Sequence, residues 1–421
     1  MTGKRKIFID TVVGKIKSKR VRPYIAKELE HHINEEKQRY LRKGMTEIEA
    51  EEHVVNQMGS PIQLSYHFNK IHRPRVDWWL VGLLVVTFCL SFLPILADSL
   101  QRYYIVKQYI YIGLGISTVI GFMLIDYTRF IKYKVLLYAI GVFLLMVLWL
   151  VPTYTINGLP YLKVGSFLVN SFHFLPFLFV SLVAFLYQKT IKLPQLSLMV
   201  VIPLILITLI GDLPTSLLYV TMAFTMICWS QVGKKKKVKL GLVMGVLITL
   251  QGIFYVLSHK GILLRVKGFL YPENFSSSNG YIYILIRDLL SSAGWLGNGK
   301  MTDMILPEAH TTLAFVSIAY NYGWLVAAFI FITLVLLLSR MIIVSKHIKD
   351  SFGRMLLIGG VSIFASQILY NIAMSFGLLP IISVGLPFIS YGVLYNLINC
   401  MILGIVLSVF RRKDLFMEKT S

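Results

Sequence analysis

Between Leu306 and Gly323 the sequence LPEAHTTLAFVSIAYNYG turns from polar to apolar, and it places a carboxylate, an imidazole and two hydroxyls side by side at Glu308, His310, Thr311 and Thr312. A carboxylate can take a proton as a general base, and an imidazole can do so near neutral pH. A hydroxyl offers only hydrogen bonds. The run that follows, Leu313 to Leu338, has one strongly polar interruption, Asn321 between Tyr320 and Tyr322. Ionisable groups near hydrocarbon cost about 2.5–3.5 kcal/mol at mid-bilayer and persist mainly where a cavity uses them. The plainer alternative is a helix start, with Glu308, Thr311 and Thr312 satisfying orphan amides and His310 resting at the membrane edge.

The elements that must position these groups follow from composition. The chain has 421 residues, 56% hydrophobic and 15% charged, which predicts an all-α, polytopic membrane protein. Apolar runs near 77–97, 108–126, 135–152, 167–187, 194–210, 213–230, 240–258, 311–339, 355–376 and 389–410 predict ten spans, each suited to a hydrocarbon core roughly 30 Å thick. The net charge of +22 does not point to nucleic acid, because Lys and Arg fall in short clusters between those runs, as orientation signals do. With the N-terminal segment cytoplasmic, the inside loops and tail after it carry 18 Lys/Arg, including Lys234 to Lys237, against 8 outside. Both termini are therefore expected in the cytoplasm, and one long external loop at about 259–310. Cys89, Cys228 and Cys400 each lie within an apolar run and read as small buried hydrophobes.

Residues 1–75 differ from the rest, with 16 Lys/Arg against 9 Asp/Glu and helical periodicity, so a cytoplasmic helical domain is expected before a transmembrane domain over 76–412 and a tail at 413–421. One helix is expected from Arg22 through Leu41, a second from a Thr46–Glu49 capping box to Gly59, and a third after Ser60 and Pro61. No apolar h-region precedes them, so no cleavable signal is expected. His31, His32 and Glu35 could be weighed as metal ligands, but adjacent histidines face different sides of a helix.

Acids at the outer membrane edge are few: Asp98, Asp212, Glu273, Asp288, Asp303 and Glu308. Asp212 lies in IGDLPTS, at the tip of a tight helical hairpin, where it can cap the next helix through Thr215 or Ser216. SSAGWLGNGK has three glycines with no strand before them, which suggests tight turns and close backbone approach instead of a phosphate cradle. Tyr103, Tyr104, Tyr109 and Tyr111 read as an interfacial belt before a sugar platform. Pro380 and Pro387 predict a re-entrant turn, with Ser390 and Tyr391 able to satisfy freed backbone groups.

LPEAHT at 306–311, the preceding GWLGNGK, and GLLPIISVGLPFISYG at 377–392 resemble signature segments of the FtsW/RodA/SpoVE family, called SEDS proteins. Weaker matches run from Gln108 to Tyr127 and from Asn157 to Gly165, and the segment before the spans is similar to a helical prefix found ahead of bacterial permeases. The resemblance implies a multi-pass bacterial cell-membrane protein of peptidoglycan synthesis, cell shape and division. Its members polymerise lipid II, an undecaprenyl-linked precursor, with a class B penicillin-binding protein, and an older view made them flippases. Such glycosyl transfer needs a base for the acceptor hydroxyl and cationic help for the departing pyrophosphate, which a divalent cation could give. By this resemblance Glu308, His310 and Thr312 occupy catalytic positions, and Asp212, Thr215, Arg265, Asp303, Ser390 and Tyr391 substrate-binding ones.

The departures matter as much. Where the family carries the aspartate thought to be the base, this chain has Thr312. Asn170, Ser171, Phe172 and His173 replace a Gln-Pro-Ser-Glu, and Pro176 replaces a lysine. Tyr320, Asn321 and Tyr322 replace Glu-Glu-Leu, while Val393, Leu394 and Tyr395 replace Gly-Ser-Ser and narrow the expected groove. Three readings follow: a transferase with a substitute base, Glu308 on one helical face with Thr312 or His310 or Asp303 nearby; a non-polymerising protein that binds lipid II or regulates a partner; or a carrier of the lipid-linked precursor.

Overall fold

The computed structural model describes residues 3–17, 21–71, 75–97, 101–156, 159–165, 167–188, 192–258, 260–298 and 306–413. Asp98, Asp303, Asn157 and nearly all of the tail lie outside them. Contacts divide the chain into two compact units, 1–76 with 410–421, and 77–409.

The first unit contains α1 (Gly3–Lys15), α2 (Arg22–Leu41), α3 (Glu47–Gln57) and α4 (Pro61–Ile71). Phe8, Val12, Ile16, Ile25 and Leu29 recur at helical spacing and bury together with Val21 and Val55. The Thr46–Glu49 capping box forms in both directions. His31, His32 and Glu35 are exposed, and no group of three metal-ligating side chains is found among the described residues.

The second unit is built from α5 (Trp78–Leu90), α6 (Leu93–Leu96), α7 (Gln101–Leu124), α8 (Arg129–Lys132) and α9 (Lys134–Leu150), then β1 (Tyr154–Ile156), β2 (Leu159–Val164) and β3 (Phe167–Val169). A 3-10 turn at Ser171–Phe174 leads into α10 (Leu175–Leu186), followed by α11 (Leu193–Ile210), α12 (Leu213–Trp229), α13 (Lys234–Ser258), α14 (Lys260–Leu270) and α15 (Tyr281–Ser292). The unit closes with α16 (Ala314–Lys346), α17 (Ser351–Ser375) and α18 (Val393–Arg411). Seven described helices are long and apolar enough to cross a membrane: Trp78–Leu96, Tyr104–Leu124, Leu193–Ile210, Lys234–Leu257, Ala314–Lys346, Ser351–Ser375 and Val393–Arg411. At the other three expected positions stand the shorter apolar helices Lys134–Leu150, Ser171–Leu186 and Leu213–Trp229. Helical periodicity gave no warning of the small antiparallel sheet β1-β2-β3, which pairs Tyr154 with Tyr161 and Lys163 with Leu168, and whose β3 occupies the start of the span expected at 167–187.

Two features fix the long helix α16. Towards its C-terminal end Arg340 donates from Nε to Asp77, 3.0 Å from Oδ2, and Asp77 also caps α5 by accepting from Trp79 N and Leu80 N. The Asp77 side chain is fully buried, so these partners replace the hydrogen bonds that water would give it. The second feature corrects the sequence reading, which drew one unbroken span from 311 to 339. The helix breaks at Gly323, where φ is 87° and ψ 170°. Ahead of the break Ala314–Tyr322 is a short half-helix buried along most of its length.

The GWLGN segment supplies what the break lacks. Trp324 N donates to Gly294 O at 3.1 Å, Leu325 N to Trp295 O at 3.2 Å, and Asn298 N to Tyr320 O at 3.3 Å. The two backbones meet at Gly297 and Gly323: a Cβ on Gly297 would lie 2.3 Å from Asn321 O, and one on Gly323 2.3 Å from Trp295 O. Only glycine fits both the approach and the positive φ of 84° and 87°. Gly297→Ala is therefore expected to cost about 2–3 kcal/mol, whereas Gly113→Ala, with open space and no positive φ, should change stability little. Thermal melting of the purified protein in detergent checks this, and equal melting of the two variants would contradict it.

Candidate functional site

The residues from Leu306 to Leu313 do not form the helix start that their sequence suggested. They run as consecutive turns, and α16 begins only at Ala314. Glu308 takes a left-handed φ of 53° and is exposed, so it does not share a helical face with Thr312. Nor does its carboxylate cap the helix: Leu313 is the N-cap without a side-chain bond, and the Glu308 carbonyl accepts from Thr311 N and Leu313 N, both at 3.0 Å.

What holds this turn is the re-entrant segment from Pro380 to Gly392, irregular backbone buried from Val384 to Ser390. Tyr391 N donates to His310 O at 2.8 Å, Ser390 Oγ to Thr311 O at 2.6 Å, and Asn371 Nδ2 of α17 to Thr312 O at 2.8 Å. Three successive carbonyls are thus tied to three successive supports. Asn371 also donates to Val384 O at 2.7 Å, and Ser390 Oγ accepts from Leu386 N at 2.8 Å, so the two segments brace one another. Ser390 serves through its hydroxyl, Tyr391 through its backbone amide. The Tyr391 ring instead joins His310, Tyr104 and Tyr111 in one aromatic cluster, with centroid distances of 5.0 Å for Tyr104–His310 and 5.4 Å for Tyr111–Tyr391. Tyr104 therefore packs on His310 of the turn, and Tyr111 on Tyr391 of the segment that braces it. The side chain of Tyr103 lies outside the described residues.

Asp212 organises a second cluster. Gly211 ends α11 with φ 84°, and Asp212 caps α12 by accepting from Thr215 N at 3.0 Å and Thr215 Oγ1 at 2.8 Å. Ser171 Oγ also donates to it, and beside them Ser216 and Gln251 bond to each other. Burial pushes the Asp212 carboxyl above the usual carboxylate range, against the hydrogen bonds of Ser171 and Thr215 that favour its ionised form. Tyr161 of β2 links this cluster to the first: burial raises its hydroxyl most, and the charges of Asp212 and Glu308 each raise it further. Two carboxylates thus act on one phenol.

The rest of the predicted set lies apart or is altered. Arg265 is exposed on α14, where its charge acts on Tyr283 of α15. His173 is held locally, its Nδ1 3.0 Å from Asn170 N. Phe172 stacks on Tyr395 at 4.8 Å and 23°, and Tyr395 OH lies 2.7 Å from both Gly385 O and Gln367 Oε1. That stack fills space between the α10 entry and the re-entrant segment. Sequence reading missed Asn371, Ser171, Tyr161 and Gln367. Gln367 and Asn371 carried a usable signal, two amides four residues apart inside an apolar run, which membrane burial makes costly without partners.

Residues 75–415 match the profile of the FtsW/RodA/SpoVE family, described as cell cycle proteins. Stage V sporulation protein E of Bacillus subtilis is 27% identical over 72% of this chain and 86% of its own length. A probable peptidoglycan glycosyltransferase FtsW of Trichlorobacter lovleyi is 30% identical over 39% of this chain, which spans only 44% of that relative's length. Among solved structures, one from work on polymerization and crosslinking by a peptidoglycan synthase complex has a TM-score of 0.67 at 20% identity, covering 80% of this chain and 98% of its own. The rod shape determining protein RodA of Thermus thermophilus has a TM-score of 0.60 at 19% identity, over 80% and 97%.

Removing the Asn371 amide would strand two buried carbonyls, Thr312 O and Val384 O, at about 1–3 kcal/mol each. Asn371→Ala is expected to lower the melting temperature more than Ser366→Ala, whose hydroxyl bonds only its own helix and Thr221. The reverse order would contradict the brace.

Proposed function

The chain belongs to the FtsW/RodA/SpoVE family, and on that premise we propose that it is a multi-pass bacterial membrane protein of peptidoglycan synthesis that binds lipid II or a similar undecaprenyl-linked precursor without polymerising it. The observation that carries this reading is Thr312. Its carbonyl is held by Asn371 within a fully braced turn, yet its hydroxyl cannot take a proton near neutral pH. Loss of a general base costs about 10²- to 10⁴-fold in rate. The Phe172–Tyr395 stack and the Asn170–His173 turn add to it, because neither offers the charge that a departing pyrophosphate needs. Asp212, Thr215, Ser390 and Tyr391 remain as precursor-binding positions, Arg265 as a more distant one, and Asp303 as one outside the described residues. A divalent cation is not required by this reading, since binding involves no leaving group.

The partner we infer is a class B penicillin-binding protein, reached through the membrane and the external loop, with both termini of this chain in the cytoplasm as the Lys/Arg bias favours. In that arrangement the protein would regulate wall assembly by holding precursor or partner.

A second reading keeps the chemistry, and one observation favours it: Glu308 stands exposed on a turn whose following carbonyls, those of His310, Thr311 and Thr312, are held by Tyr391, Ser390 and Asn371. There Glu308, exposed on the turn, would be the substitute base. The two readings part in one experiment, in which the full chain in nanodiscs is given lipid II with and without a class B penicillin-binding protein. Retained lipid II without glycan strands is the expected result. Strands that vanish in Glu308→Gln would overturn it in favour of the substitute base, and failure to retain lipid II would sink both.

A further inference from the structure

The loop 294–297 presents two large apolar side chains to the surface, with Trp295 73% exposed and Leu296 81%. Their neighbours are polar: Ser291, Ser292 and Asn298 are all exposed beside them. The backbone that carries the pair is fixed. Asn298 Nδ2 donates to Ser292 O at 2.7 Å across the loop, Gly294 and Gly297 take positive φ of 65° and 84°, and the carbonyls of Gly294 and Trp295 accept from Trp324 N and Leu325 N. A loop held at its backbone and bare at its side chains is already ordered, so covering Trp295 and Leu296 costs little further conformational freedom.

The helix to which the loop is tied supplies a ruler. On α16, Leu325, Phe329, Ile332, Leu336 and Ile343 are exposed apolar residues at helical spacing, and they form one face of a span. From Leu325 to Ile343 that face rises about 27 Å at roughly 1.5 Å per residue, close to a hydrocarbon thickness of about 30 Å. Lys346 and His347 stand exposed just beyond one end of it. The other end is Leu325, whose amide donates to Trp295 O at 3.2 Å. Trp295 and Leu296 thus sit where the hydrocarbon around this span gives out, the level at which tryptophan is enriched in membrane proteins.

We propose that the loop 294–297 is a membrane anchor, with Trp295 and Leu296 inserted among bilayer lipids at the edge of the hydrocarbon. Lipid is the occupant because the pair continues, at its Leu325 end, the face that α16 turns to the chains. An indole at that level keeps its apolar body among the chains and its N–H towards head groups and water. The anchor acts through the backbone. What fixes Trp295 in depth also fixes the two carbonyls that complete the break at Gly323, and with them the half-helix Ala314–Tyr322. This inference does not depend on whether the protein polymerises lipid II.

The test is a depth measurement by spin labelling of the full chain in phosphatidylcholine nanodiscs. In a background of Cys89→Ala and Cys228→Ala, the two exposed cysteines, with the buried Cys400 left in place, a nitroxide is attached in Leu296→Cys and, as a hydrocarbon reference, in Phe329→Cys. The label at 296 should be open to dissolved oxygen, lose its access to a water-soluble nickel chelate relative to free label in buffer, and lie shallower than the label at 329. Nickel access equal to that of free label would overturn the anchor. Shielding from both oxygen and nickel would mean that a partner protein or a second copy covers the loop, and would overturn lipid as its occupant. A second measurement needs no added cysteine. Phosphatidylcholine brominated near the head-group end of its chains should quench the tryptophan fluorescence of the unaltered chain more than that of Trp295→Phe, while bromines at the chain ends should quench both alike. Equal quenching by the shallow bromines would also overturn the anchor.

Discussion

Irregular backbone inside a membrane has to find every hydrogen-bond partner within the protein, since lipid offers none. Two such segments meet here, the turns from Leu306 to Leu313 and the re-entrant stretch from Pro380 to Gly392, and each satisfies the other. The carbonyls of His310, Thr311 and Thr312 accept from Tyr391 N, Ser390 Oγ and Asn371 Nδ2. Asn371 is the point where three elements join, because the same amide also holds Val384 O from α17. The half-helix after the turn depends on a comparable exchange, in which Gly294 and Trp295 carbonyls take the amides freed at Gly323. Both arrangements are backbone geometry. They place residues without requiring any particular chemistry of the side chains placed.

On the proposed reading, that separation is how the site would keep its frame without a base. The bond to position 312 goes to a carbonyl, which any residue supplies, so the brace does not depend on the side chain there. Asp212 behaves otherwise: its own side chain caps α12 and receives Ser171, so its carboxylate is structural whatever else it does. A residue whose side chain holds up a helix is hard to exchange. Thr312 carries no such duty among the hydrogen bonds of the described residues, so on the proposed reading its side chain can change without disturbing the fold.

The sequence made much of the architecture legible. Apolar runs separated by Lys/Arg clusters marked the positions of the spanning helices, and the Thr46–Glu49 pair marked a helix start that forms as expected. Three glycines in SSAGWLGNGK suggested close backbone approach, which Gly297 makes against Asn321. Other features escaped because their partners are remote in the chain. Arg340 reads as an ordinary inside-loop cation until Asp77 meets it from 263 residues away. Gly323 looks like one more small residue in an apolar run, since the segment that completes its break lies in a loop. The β1-β2-β3 hairpins lack the alternation that marks a strand, as most of their residues are at least partly exposed on both faces. Glu308 misled for the same reason: spacing of four implies one face only inside a helix, and the helix begins later.

On the proposed reading, position 312 has a braced frame around it and no acid in it, and that missing acid weighs most against polymerisation. Lipid II polymerisation by a Thr312→Asp variant, reconstituted with a class B penicillin-binding protein and compared with the unaltered chain, tests this most directly. Glycan strands are expected from the variant, at a rate held down by the uncharged α10 entry, and none from the unaltered chain. Silence from a folded Thr312→Asp variant that still retains lipid II would contradict it, and would move the lesion to the α10 entry, where Phe172 and Tyr395 fill the groove.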